Sequence, residues 1–179
     1  LVVANAQDPG ISTSGELTAL NINSSSSQGP TDDGRIKPDI TGNGTSLYSP
    51  IDTDIDAYQR KTGTSMSSPN VAGSVLLLQQ YYNSLNSSFM KSATLKGLVC
   101  HTADDNLNGN GPDPIYGWGL LNVKKSAETI LDAFNNNAIL SEHTLEDSVV
   151  FTSTFSVSSG SPLSATICWT DPAGFPQGS

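Results

Sequence analysis

The chain has 179 residues, enough for one domain or for a domain and the beginning of a second. Eight basic residues stand against 17 acidic ones, which gives a net charge of −9. A surface of this sign argues against nucleic acid and anionic membranes as partners. The sequence has no apolar run of the roughly 18 residues that a transmembrane helix needs.

The first part of the chain predicts short strands joined by loops. Residues 1–5, L-V-V-A-N, have the composition of a buried strand and begin without methionine or a polar leader. We therefore expect the numbering to begin inside a longer chain, which makes a missing signal peptide uninformative. Residues 7–36 are rich in Ser, Gly, Asn and Asp and predict surface loops, interrupted by a short strand at 16–20. Residues 46–49 indicate another strand.

Three helices are predicted after these strands. The first covers 65–82 and is apolar on more than one face, which is typical of a helix buried on all sides. The second is predicted from an N-cap at Ser88 to about Cys100. The third is predicted from an N-cap at Asn122 to about Phe134.

The hydrophobic pattern changes after the third helix. Apolar residues alternate with polar ones over 149–157 and again over 163–169, on either side of a Ser-Ser-Gly-Ser turn. This period predicts two strands that pair with each other in antiparallel fashion. We therefore predict a boundary near 135–147, between an α/β domain at 1–134 and the start of a β-rich module at 135–179.

The segment 63–69, G-T-S-M-S-S-P, places Ser65 at the start of the first helix. The unpaired N–H groups and the positive dipole of a helix N-terminus can stabilise a developing oxyanion. A hydroxyl at this position becomes a nucleophile when a base lies nearby. Helix physics alone favours a plainer interpretation, in which Ser65 or Thr64 is an N-cap.

Three ordered motifs carry a resemblance to a known family. The segment 63–73, G-T-S-M-S-S-P-N-V-A-G, resembles the nucleophile signature of the subtilases, G-T-S-M-x-x-P-x-V-A-G. G-R-I-K-P-D-I at 34–40 resembles the strand region before that nucleophile, and Y-G-W-G-L-L-N at 116–122 resembles the turn into the last helix of the family's domain. The chain departs from the family at 41–44, T-G-N-G, where A-P-G is usual, and at Asn70, where His is frequent.

The resemblance covers about residues 1–134 and implies the C-terminal half of a subtilisin-like α/β domain with a parallel sheet. It implies a secreted serine endopeptidase that needs no cofactor and acts on proteins or peptides through an acyl-enzyme on Ser65. The Ser65 backbone N–H would be one oxyanion donor. The tail from residue 135 is similar to the start of the β-sandwich or jelly-roll appendage that some secreted subtilases carry.

The catalytic Asp and His of the family precede the serine, so we expect both, and the oxyanion Asn, upstream of Leu1. Neither His101 nor His143 is predicted to be the base. The chain by itself is then expected to be inactive and to self-associate through exposed apolar surface. A parent protein that kept the fold and lost the base, a pseudopeptidase or adhesion protein, is the alternative, and the upstream sequence would separate the two.

Other serine chemistries fit the sequence less well. The G-x-S-x-G motif of the α/β-hydrolases fails at its last position, which is Ser67. An S-x-x-K segment at 88–91 and a K-T-G segment at 61–63 occur in the reverse of the order that penicillin-binding enzymes require. These short matches are therefore assigned to chance.

The sequence also contains one candidate metal loop. Asp104, Asn106 and Asn108 begin a D-x-[DN]-x-[DN]-G pattern that is typical of calcium loops. Ile115 stands where such a loop requires a bidentate Glu, which favours an Asx/Gly turn cluster instead. Structural calcium is therefore only a candidate.

The two cysteines, Cys100 and Cys168, leave two alternatives open. They can form a disulfide, or they can be separate buried thiols, which their apolar surroundings favour. The absence of a C-x-x-C spacing argues against a zinc site.

Overall fold

The computed structural model describes residues 1–105, 111–157, 160 and 162–170. Short strands occupy the first third of this part of the chain, and the helices follow. In chain order the elements are β1 Val3–Ala6, β2 Gly10–Ile11, β3 Leu17–Ala19, β4 Ile40–Asn43, β5 Leu47–Pro50, β6 Tyr58–Lys61, α1 Thr64–Asn86, α2 Ser92–His101 and α3 Val123–Phe134.

The pair β1 and β4 is the parallel part of the fold. The two strands run from the pair Val3 and Ile40 to the pair Ala6 and Asn43. Parallel neighbours need a long connection, and here it contains the antiparallel pair β2 and β3. β5 and β6 form a second antiparallel pair just before α1. The predicted strands at 1–5, 16–20 and 46–49 correspond to β1, β3 and β5, and the α/β class with a parallel sheet is confirmed.

The three helices share one apolar core. Leu78 of α1, Leu98 and Val99 of α2, and Ile130 of α3 are at most 3% exposed and form one cluster with Met90. Burial of each such side chain contributes about 1.5–3 kcal/mol before the loss of conformational entropy is counted. A hydrogen bond of 2.6 Å between the buried hydroxyls of Thr102 and Ser126 joins α2 to α3. None of the helices that the structure describes is long and apolar enough to cross a bilayer.

The predicted burial of α1 on all sides is wrong for the described residues. Val71 and Leu78 are buried, whereas Leu76 and Leu77 are 68% and 61% exposed. α1 packs mainly against β1, β4 and α3 and shares the apolar core with α2, and these elements leave Leu76 and Leu77 in solvent. The apolar composition of α1 therefore predicted burial of a side of the helix that no described element covers.

The predicted start of α2 at Ser88 is also wrong, because the helix begins at Ser92 after an N-cap residue, Lys91, without a side-chain cap. A distant carboxylate takes the place of a local cap. Glu142 Oε1 accepts hydrogen bonds from Lys91 N, at 2.7 Å, and from Thr94 Oγ1. A carboxylate at a helix N-terminus pairs with free N–H groups and with the positive end of the dipole. A residue that follows α3 therefore contacts the start of α2.

The tail does not form the predicted strands. As far as it is described, the chain after Phe134 contains neither helix nor strand, so the antiparallel pair expected at 149–157 and 163–169 is absent there. Alternation is a local signal, whereas a strand also needs a neighbouring backbone for its hydrogen bonds, and one hairpin alone is marginal. The boundary near 135–147 and the β-sandwich or jelly-roll module stay predictions.

The side chain of Asp39, just before β4, joins three segments of the chain through hydrogen bonds and ion pairs. Its side chain is 9% exposed and accepts hydrogen bonds from Val2 N, at 2.7 Å, and from Lys37 Nζ. Lys96 Nζ of α2 lies 3.3 Å from the same carboxylate. Burial by itself raises the pKa of Asp39, but the hydrogen bonds from Lys37 and Val2 and the two lysine charges outweigh it and hold the pKa below its usual value.

We expect Asp39→Asn to lower the free energy of unfolding by about 1–2 kcal/mol at neutral pH, because it removes a charge-assisted network. The folded-state pKa is lowered, so this stability is present above the unfolded pKa, near 4, and is lost as the pH falls through the folded-state pKa. Urea denaturation of the wild-type and Asp39→Asn proteins at pH values from 7 to 3 tests this prediction. A difference in the free energy of unfolding that stays constant as the pH falls would contradict it.

Candidate active site

Ser67 joins the first turn of α1 to the parallel strands β1 and β4 through hydrogen bonds. The hydroxyl of this fully buried residue lies 2.7 Å from the Ala4 carbonyl of β1 and 2.8 Å from the Gly42 carbonyl of β4. It donates its proton between these two acceptors, where a buried hydroxyl without a partner would be costly. The N-terminus of α1 is therefore positioned against both parallel strands. This role of Ser67 is not predictable from the sequence, because a serine in a first helical turn gives no signal of burial.

Gly44 and Gly63 allow the loop after β4 to lie close to the start of α1. Gly63 N donates a hydrogen bond of 3.0 Å to the Gly44 carbonyl, which joins the residue before α1 to the loop after β4. A Cβ atom on Gly44 would lie 2.6 Å from Gly63 O and 2.6 Å from Ser67 N. No side chain fits between these backbone atoms. The T-G-N-G departure noted in the sequence therefore contains a glycine that the observed turn requires.

A buried polar network supports the same loop. The Asn5 side chain is fully buried, and its Oδ1 accepts a hydrogen bond of 3.2 Å from Thr45 Oγ1, while its Nδ2 donates to Ser25 Oγ at 3.1 Å. Asn23 Nδ2 donates to Thr45 Oγ1 at 3.0 Å. Because each polar atom has a partner, the network costs little on burial and restricts the loop that holds Gly44.

Ser65 is the second residue of α1 and is exposed. The N-cap residue is Gly63, and no side chain caps the helix, so the plainer interpretation of Ser65 or Thr64 as an N-cap is wrong. Met66 N and Ser67 N both donate to the Gly63 carbonyl. Among the described residues the Ser65 hydroxyl has no hydrogen-bond partner. It is therefore a free hydroxyl at the positive end of a 23-residue helix.

The structure gives both histidines contacts with residues other than Ser65. His101 ends α2, and its Nδ1 lies 2.8 Å from Thr166 Oγ1. The His143 ring lies against the Phe151 ring at a tilt of 34°, with centroids 4.1 Å apart, and its Nε2 lies 3.2 Å from Ser141 Oγ. Neither ring is hydrogen-bonded to Ser65 in the part of the chain that is described.

The candidate calcium loop is only partly described. Asn106 and Asn108 lie outside the described residues. The Asp104 carboxylate forms a salt bridge with Lys125 and accepts a hydrogen bond of 2.9 Å from Asn122 Nδ2. Asn122 also caps α3, as predicted, by accepting a hydrogen bond of 2.9 Å from Lys125 N. The contacts of Asp104 thus stabilise the start of α3. The calcium hypothesis stays an untested prediction.

An exposed serine at the N-terminus of a helix that packs against a parallel pair of strands defines a candidate nucleophile site in an α/β fold. Residues 2–119 match the model of the subtilase family, Peptidase_S8. Pyrolysin of Pyrococcus furiosus is 33% identical over 129 residues, which cover 68% of this chain and 9% of pyrolysin. The chain therefore belongs to the subtilases, a family of serine peptidases.

Solved structures agree with this assignment. The CspB protease of Clostridium perfringens is similar with a TM-score of 0.56 and 25% identity, over 63% of this chain and 24% of that protein. Fervidolysin from Fervidobacterium pennivorans, a keratinolytic enzyme related to subtilisin, gives a TM-score of 0.51 and 25% identity, over 70% of this chain and 18% of that protein. The chain spans a tenth or less of the length of the first curated relatives it matches.

Proposed function

We propose that this chain carries the nucleophile of a serine endopeptidase, and that the parent protein cleaves peptide bonds through an acyl-enzyme on Ser65. The observation that supports this most directly is the position of Ser65: exposed, with a free hydroxyl, at the N-terminus of α1. The contacts of Ser67 and Gly44 hold that N-terminus in place. Membership of a serine peptidase family supports the same chemistry.

In the proposed mechanism Ser65 Oγ attacks the carbonyl carbon of the substrate and passes its proton to a base. The base is a His oriented by an Asp, both in parts of the parent outside this chain, as the family resemblance implies. The Ser65 N–H and the positive end of the α1 dipole face the developing oxyanion. The amine then leaves with the proton, and water hydrolyses the ester. Protein or peptide substrates, and export of the parent from the cell, belong to the same proposal and rest on the family.

A fluorophosphonate probe tests this proposal on the full-length parent. We expect covalent labelling at Ser65, with loss of fluoride, because only a serine activated by a base reacts at an appreciable rate. Tryptic peptides analysed by mass spectrometry locate the label. Ser68→Ala, an exposed neighbour in the same helical turn, should leave labelling unchanged.

Two outcomes would contradict the proposal. Labelling at a different serine would assign the nucleophile elsewhere. A parent that folds, binds peptides and shows neither labelling nor turnover would be the pseudopeptidase or adhesion protein of the alternative hypothesis.

The 179-residue chain by itself should hydrolyse no peptide above background, since neither of its histidines is hydrogen-bonded to Ser65 in the described structure. We also propose that it self-associates, because Leu76 and Leu77 of α1 expose apolar surface. Hydrolysis of a chromogenic peptide, compared with the Ser65→Ala chain, and light scattering test both statements. Turnover that disappears in the alanine chain would reveal a base inside this sequence, most directly His101.

A further inference from the structure

The end of the described chain contacts one face of α2. Thr166 Oγ1 lies 2.8 Å from His101 Nδ1 at the C-terminus of the helix. Two residues later Cys168 lies against Gly97, where a Cβ built on the glycine would be 3.0 Å from Cys168 Cβ. Glycine thus lets the segment 162–170 approach the helix more closely than any other residue would.

Cys100 lies on the same face of α2, three residues after Gly97. Residues three apart on a helix have Cβ atoms about 5–6 Å from each other, so the Cβ atoms of Cys168 and Cys100 lie at most about 8–9 Å apart. Burial, and next the charge of Asp39, raise the pKa of Cys100 to about 11, and Cys168 adds to this effect.

We propose that Cys100 and Cys168 form an intramolecular disulfide that fixes the segment 162–170 on α2. Both are thiols in this structure, with Cys100 buried and Cys168 half-buried. The bond needs Cβ atoms about 3.5–4.5 Å apart, which a shift of Cys168 along the helix by less than one turn, ~5 Å, provides. The observed contacts thus favour the disulfide over the two separate thiols that local sequence favoured.

The oxidant is a disulfide, such as oxidised glutathione or a dithiol–disulfide exchange protein, and the reaction proceeds in two exchanges. The Cys168 thiolate, the more accessible of the two, attacks one sulfur of the oxidant and releases a thiolate. Cys100, after losing its proton, attacks Cys168 in the resulting mixed disulfide and releases the second thiol. Two cysteine thiols are oxidised, one disulfide is reduced to two thiols, and the two protons end on those thiols.

Non-reducing peptide mapping tests this proposal on the full-length protein after equilibration in a glutathione redox buffer. We expect the peptides that contain Cys100 and Cys168 to be recovered as one linked species, and the link to be lost in Cys100→Ser and in Cys168→Ser. The equilibrium ratio of the linked species to glutathione-capped cysteine should be at least about tenfold higher in native protein than in guanidinium chloride, because folding raises the effective concentration of the two thiols.

Three results would contradict the proposed disulfide. Recovery of both peptides as free or glutathione-capped thiols at equilibrium would overturn the proposal, as would pairing of either cysteine with a different one. An equal ratio of linked to glutathione-capped species in native and denatured protein would show that the tertiary structure does not bring the two residues together.

Discussion

Ser65→Ala should abolish the proposed peptidase activity of the parent protein and leave its fold intact. Loss of the nucleophile leaves only binding and oxyanion stabilisation, since triad members act as a unit. We expect kcat to fall by about 10⁴- to 10⁶-fold, the range known for the loss of single triad members in subtilisin itself, a member of the same family. The exposed Ser65 hydroxyl makes no hydrogen bond in the described structure, so the thermal midpoint should change little.

Steady-state kinetics on a chromogenic peptide and a thermal melt measure these two effects. Ser68→Ala is the matched control, since it removes an exposed hydroxyl from the same turn of α1. Its kcat should stay within about threefold of the wild-type value. A Ser65→Ala protein that keeps more than about a hundredth of the wild-type kcat would show that Ser65 is not the nucleophile.

Gly44→Ala should disrupt the site without touching the nucleophile. The new Cβ would lie 2.6 Å from both Gly63 O and Ser67 N and 2.7 Å from Asn5 Oδ1. Backbone atoms on either side cannot rotate away, so the loop after β4 and the start of α1 must separate. We expect a loss of about 3 kcal/mol or more in the free energy of unfolding. A displacement of Ser65 by even 1 Å should lower kcat by about a hundredfold.

Chemical denaturation of the 179-residue chain and kinetics of the parent measure these effects. Gly73→Ala is the control in the chain, because a Cβ at this position of α1 meets no atom of the described residues within 4 Å beyond the adjoining backbone of the helix itself. Alanine there should stabilise the helix by about 0.5–1 kcal/mol. If Gly44→Ala behaved like Gly73→Ala, the contact between Gly44 and Gly63 would not be what positions the start of α1.

Parts of the fold were predictable because their causes are local. The Asn122 cap depends on a side chain and an amide three residues away, so α3 begins and ends where the sequence predicts. Ser65 was found for a different reason: its motif and the two flanking ones resemble a family, and the family model covers residues 2–119. The role of Ser65 itself stays a proposal that the labelling experiment tests.

The sequence by itself determined the class of the fold, the three helices, the candidate nucleophile and the family. Only the tertiary structure decided what surrounds them: Ser67 buried between two strands, Gly44 against Gly63, and Cys168 over α2. Each of these contacts joins residues 19 to 71 positions apart, which no periodicity or capping rule describes. The same dependence on residues distant in sequence explains the tail, where the alternation of apolar and polar residues predicted strands that the described chain does not form. A strand depends on a partner backbone, and local pattern does not supply one.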